Sequence, residues 1–88
     1  MDNEVYVLVH EWQFDTGETG IVVRVYDSLE KAKEQLDIEY EFAKKEWSTE
    51  LFPDSWNVES SDMSFSFWES DEYCYNHETF TIFQREVM

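Results

Sequence analysis

Few residues in this chain have the chemistry for catalysis. Cys74 and His77 stand three positions apart, the one arrangement in which an imidazole could activate a thiol nucleophile. Glu69, Asp71, Glu72, Cys74, His77 and Glu78 together form a run of potential metal ligands. Neither set has a diagnostic spacing. The acidic run lacks the alternation of a Ca²⁺ loop and the second soft pair of a structural zinc site. A Cys and a His in an aromatic, acidic loop are more often ordinary surface residues, so both are expected to be dispensable. His10 falls in a separate β-like segment, and both glycines, Gly17 and Gly20, are spent in one loop. There is no glycine-rich phosphate cradle, His-Glu-x-x-His or Gly-x-Ser-x-Gly. The expectation is a non-enzyme that needs no metal or cofactor.

Charge is more informative than any motif. The 88 residues contain 21 Asp and Glu against 6 Lys and Arg, a formal net charge of -15. Between Glu46 and Gln84 there is no Lys or Arg, while Glu46, Glu50, Asp54, Glu59, Asp62, Glu69, Asp71, Glu72 and Glu78 all fall there. Solubility alone asks for a net charge of only about 2–8 in a small domain. Direct binding to nucleic acid is disfavoured, because such binders bring cations to phosphates. A basic protein partner is favoured instead.

The elements that must carry these charges follow from periodicity. With 42% apolar and 18% aromatic residues, and a length that allows one core, the chain reads as a single folded domain over residues 1–88. Val5–His10 and Ile21–Asp27 are β-branched and aromatic, with turn residues Asp15 to Gly20 between them, as in a hairpin. Leu29, Ala32, Leu36, Tyr40, Ala43 and Trp47 recur at steps of three and four, one stripe of an amphipathic helix from about Ser28 to Trp47. Asp27 with Glu30 offers a capping-box-like start, and Lys44 and Lys45 suit the C-terminal end. After Pro53 come three strand-like runs: Trp56–Ser60, Met63–Glu69 and Thr79–Val87. The fold class is α+β, an antiparallel sheet in ββαβββ order with one long amphipathic helix packed on one face.

Alternation then assigns faces. Val5, Val7, Val9, Ile21, Val23 and Val25 are expected to face the helix with Met63, Phe65, Phe67, Phe80 and Ile82. The opposite face would carry Tyr6, Leu8, His10, Val22, Arg24, Tyr26, Trp68 and Phe83, too aromatic for solvent. Either Trp12, Trp56 and Tyr73 fold over it as a second small core, or it is an interface. On the helix, Glu30, Glu34, Asp37 and Glu41 gather on one flank. Ile38 and Phe42 lie roughly 180° and 140° from the buried stripe, an apolar pair where solvent is expected. The candidate partner-binding residues are therefore Glu34, Asp37, Ile38, Glu41 and Phe42 on the helix, with Asp62, Glu69, Asp71 and Glu72 from the later acidic segments.

The start Met-Asp-Asn-Glu has no basic segment or apolar run of a secretory leader, and no stretch approaches the ~20 apolar residues of a membrane span. With a lone cysteine, the expectation is a cytoplasmic protein without membrane contact; monomer and homodimer are both left open.

Size, acidity and layout resemble the small acidic proteins that bacteriophages and mobile elements encode against host defence, anti-CRISPR and DNA-mimic anti-restriction proteins among them. The segments that carry the likeness are Val5-Tyr-Val-Leu-Val, Val25-Tyr-Asp-Ser-Leu-Glu-Lys-Ala-Lys33 and Asn76-His-Glu-Thr-Phe-Thr-Ile82. They are scaffold pieces, so no family residue transfers. The resemblance implies an inhibitor acting in the host cytoplasm on a CRISPR effector nuclease of Cas9 type, its carboxylates occupying a basic site for DNA or guide RNA. The alternative is a structural or adaptor module that self-associates through its aromatic sheet face.

Overall fold

The computed structural model describes residues 4–70 and 75–86. Strands β1 (Glu4–Gln13) and β2 (Thr19–Tyr26) precede helix α1 (Leu29–Glu46). A π-helical turn (Trp47–Leu51) then leads to β3 (Asn57–Ser60), β4 (Ser64–Ser70) and β5 (Tyr75–Glu86). The strands form one antiparallel five-stranded sheet in the order β2-β1-β5-β4-β3. The expected α+β class and ββαβββ order are observed.

The strand order dictates the path of the helix. β2 and β3 are the two edges, about 19 Å apart at ~4.8 Å per strand. The 18 residues of α1 rise about 27 Å, enough to carry the chain diagonally from one edge to the other across one face. Ser28, rather than Asp27, caps the start: its Oγ accepts from the Lys31 backbone N–H at 3.2 Å. Asp27 instead pairs with Lys31 Nζ at 3.1 Å. At the other end the Phe52 N–H donates to the Trp47 carbonyl at 3.0 Å, closing the wider turn just before Pro53.

The stripe read from the sequence is the buried one, with Ala32, Leu36, Ala43 and Trp47 in the core and Leu29 and Tyr40 against it. Phe65, Phe67, Phe80 and Ile82 meet it as expected. In β1 and β2 the expected faces are reversed. Leu8 is in the core with Tyr6 and Tyr26 packed against it, whereas Ile21, Val23 and Val25 are exposed. Both alternating sets in β1 are apolar, so alternation alone does not choose between them. The larger side chains take the inner face: Leu8 is in the core, Tyr6 packs against it, and His10 stacks on the buried Phe80.

Register reinforces the choice. Trp12 pairs with Gly20 and lays its indole over it, where any Cβ on residue 20 would collide with the ring. His10 stacks on Phe80 at 3.9 Å and tilts against Trp12 at 4.8 Å, and Phe80 stacks on Phe65 at 4.4 Å. These contacts require the even-numbered side of β1 to face α1. Trp56 is also on this side, 5.8 Å from Phe67, so neither Trp12 nor Trp56 covers the outer face; Tyr73 lies outside the described residues. Hairpin β1–β2 closes through Phe14 N–H to Glu18 O at 2.8 Å, with Gly17 at φ 94° supplying the left-handed position.

Core and outer positions should therefore respond differently to truncation. Leu8→Ala is expected to cost about 2–5 kcal/mol and Val23→Ala less than about 1 kcal/mol, measured by urea denaturation. Equal losses would contradict the assigned faces.

Candidate protein-binding surface

Steps of 100° along α1 separate its sides. The stripe through Leu36 and Ala43 is buried, and Glu34, Asp37 and Glu41 are exposed on the outer flank. Ile38 and Phe42 are 61% and 68% exposed. They form an i,i+4 apolar pair beside three carboxylates, on an element whose backbone is fixed by its own hydrogen bonds. Two helix lysines are engaged elsewhere: Lys31 with Asp27, and Lys44 over the Tyr40 ring at 5.9 Å.

The tertiary fold adds Asp62 to this flank. Asp62 sits in the turn between β3 and β4, and with Asp37 it lines a groove floored by Leu36, Tyr40 and Phe65. Carboxylates 25 positions apart in sequence thus border one surface. At the helix C-terminal end, Phe42 shares a shallow groove with Glu46 and Glu50.

Glu69 does not belong to this surface. It is buried, and its Oε1 accepts from Asn76 Nδ2 at 3.0 Å, while Asn76 Oδ1 accepts the Asp15 backbone N–H at 2.8 Å. The chain of bonds ties the β1–β2 loop to the β4–β5 pair. The parity of β4 foretells it, because Glu69 follows Phe65 and Phe67 by steps of two and so shares their inward face. Asp71, Glu72 and Cys74 lie outside the described residues. His77 is on β5, opposite Gln13 and Trp68.

A second polar group, not anticipated from sequence, lies under the helix C-terminus. Glu78 accepts from Trp47 Nε1 at 2.9 Å through one oxygen and meets His10 Nε2 at 2.6 Å through the other. Both carboxylate oxygens are committed to holding the helix end and β1 on β5. Burial raises the Glu46 pKa above its ordinary value, and the nearby Glu78 and Glu50 carboxylates raise it further, while His10 acts in the opposite direction. Beside this network, Leu8, His10, Val22, Arg24, Glu39 and Phe80 line a cleft of about 200 Å³, with Arg24 and Glu39 3.8 Å apart. That is below the ~300–1,000 Å³ of small-molecule sites. Among the described residues, no three His, Cys, Asp or Glu side chains gather as metal ligands.

No family model matches this chain, and neither does any curated protein or solved structure.

The raised Glu46 pKa sets a pH dependence. A carboxyl whose pKa rises on folding favours the folded state most below its unfolded value, and that contribution is lost as pH climbs through the folded value. Glu46→Gln is therefore expected to raise the urea midpoint at pH 7 and to have little effect near pH 4. A lower midpoint at pH 7 would contradict this assignment.

Proposed function

We propose that this protein is a non-catalytic, protein-binding inhibitor. The outer face of α1, extended by Asp62, docks on a basic surface of a nucleic-acid-processing enzyme and denies that surface to its DNA or RNA. The observation that carries the reading is the exposed Ile38 and Phe42 pair flanked by Glu34, Asp37 and Glu41 on one rigid helix. Interfaces draw most of their affinity from a few apolar or aromatic anchors, and surrounding charges set orientation and association rate. A carboxylate cluster on a fixed scaffold also presents negative charge much as a phosphate backbone does, and a groove lined with Arg and Lys accepts either. The net charge of -15 supplies long-range attraction to such a groove. The resemblance to anti-defence proteins makes a Cas9-type effector, whose DNA and guide RNA lie in a positively charged channel, the first enzyme to test.

Binding and nuclease inhibition measured across salt concentrations test this reading. Combined Glu34→Gln, Asp37→Asn, Glu41→Gln and Asp62→Asn changes keep shape while removing charge, and are expected to weaken binding by about a hundredfold and flatten its salt dependence. Ile38→Ser with Phe42→Ser should accelerate dissociation and leave the salt slope unchanged. Inhibition that survives both sets of changes would remove the helix face from the mechanism. Failure to inhibit any effector or restriction nuclease would refute the nucleic-acid-site reading itself.

A further inference from the structure

The sheet face turned away from α1 is apolar and uncovered at its β2 side. Ile21, Val23 and Val25 are 60%, 54% and 61% exposed, and Phe83 is exposed two strands away. Val7 and Val9 of β1 lie between them, paired with Val25 and Val23 on one side and with Phe83 and Thr81 on the other. This is a largely β-branched surface in a molecule of net charge -15. Among the described residues of β2, β1 and β5, no ionisable side chain stands on this face between Glu11 at one end of β1 and Arg85, the partner of Val5, at the other.

We infer that this face is a homodimer interface, in which two copies stack their sheets face to face about a two-fold axis with strands antiparallel between copies. Charge placement selects a second copy as the occupant. Glu11 and Arg85 share this face at opposite ends, on adjacent strands, and both are exposed. A two-fold axis lying in the face and perpendicular to the strands puts β1 over its own copy and exchanges the ends. Each Arg85 then stands over the Glu11 end of the other copy, one strand aside. Sheets stack about 10 Å apart and strands lie ~4.8 Å apart, within the combined reach of the two side chains. Each interface thus carries two identical ion pairs around a neutral centre, the self-complementarity that a two-fold contact requires. Among the described residues, Arg85 is held locally, its guanidinium 5.0 Å over the Phe83 ring and donating to the Gln84 carbonyl at 2.8 Å.

Area sets the strength. The three strands β2, β1 and β5, about 14 Å wide and about 20 Å long, present roughly 300 Å² of projected area per copy, which places the contact among weak, transient interfaces. The dimer is accordingly a weak, concentration-dependent one. Both α1 helices point outward from such a sandwich, so the interface leaves the Ile38 and Phe42 face open and stands independently of the proposed inhibitory role.

Sedimentation of the full chain from about 1 to 500 µM tests the inference. A concentration-dependent species of twice the monomer mass is expected, and a monomer throughout would overturn it. Added salt should strengthen association by screening repulsion between two acidic copies, opposite to its effect on a complex with a basic partner. Val23→Thr with Val25→Thr, which keeps β-branched shape and whose folding is checked by circular dichroism, should weaken the dimer at least about tenfold. An unchanged dimer would place the contact elsewhere and refute the proposal. Arg85→Glu alone should weaken it about tenfold, and Arg85→Glu with Glu11→Arg should restore it. Loss in the single variant without recovery in the double would refute the antiparallel arrangement.

Discussion

The fold depends on how Trp47 is seated. Its indole is fully buried, packed against Phe14, Phe52 and Phe67, and its only polar atom donates to Glu78. A buried indole N–H must find an acceptor, and a bond to a charged group is among the stronger ones, at about 1.5–3 kcal/mol. Glu78 cannot serve Trp47 without being on the helix side of β5, which places Phe80 and Ile82 there as well. Because Glu78 also binds His10, the same residue fixes the face of β1. One carboxylate thus aligns the helix end with the two central strands.

The acidity of the chain takes a different meaning in that light. Carboxylates fall into those spent inside and those left outside. Glu78 and Glu69 are consumed by hydrogen bonds that lock elements together, each with side-chain partners that offset its desolvation. Glu34, Asp37, Glu41 and Asp62 remain on the surface, where two elements distant in sequence bring them to one side of the molecule. Glu46 is intermediate, its charge disfavoured first by burial and then by the nearby Glu78 and Glu50 carboxylates. The long segment without Lys or Arg is therefore not a uniform anionic surface.

The two faces of the sheet also part company. The helix side is an aromatic seam running from Trp12 through His10, Phe80, Phe65 and Phe67 to Trp47. The outer side is aliphatic over β2 and β1 and turns polar toward β4, where Ser66 donates to Thr79 at 3.3 Å. The expected aromatic outer face holds for Trp68 and Phe83 but is replaced over β1 and β2 by a β-branched one, because Tyr6 and Tyr26 pack against the core on the helix side.

By itself the sequence determined the order of elements, the buried stripe of α1 and the exposure of Ile38 and Phe42, since each follows from periodicity within one segment. It also determined the inward sides of the β4 and β5 centres, where Phe65 and Phe67, and Phe80 and Ile82, alternate with Ser64 and Ser66, and with Thr79 and Thr81. The inward place of Glu69 was legible in that same parity, although its charge argued against it. Only the tertiary structure decided which side of β1 and β2 faces the core. In β1 both alternating sets are largely apolar and in β2 the inward set includes Arg24, so the choice rests on the stacking of His10 on Phe80, its bond to Glu78 and the pairing of Trp12 with Gly20. The bond between Trp47 and Glu78 spans 31 positions, and the groove shared by Asp37 and Asp62 spans 25, so no local pattern encodes either. Such contacts exist only once strand order has brought β5 under the end of the helix and the β3–β4 turn beside it.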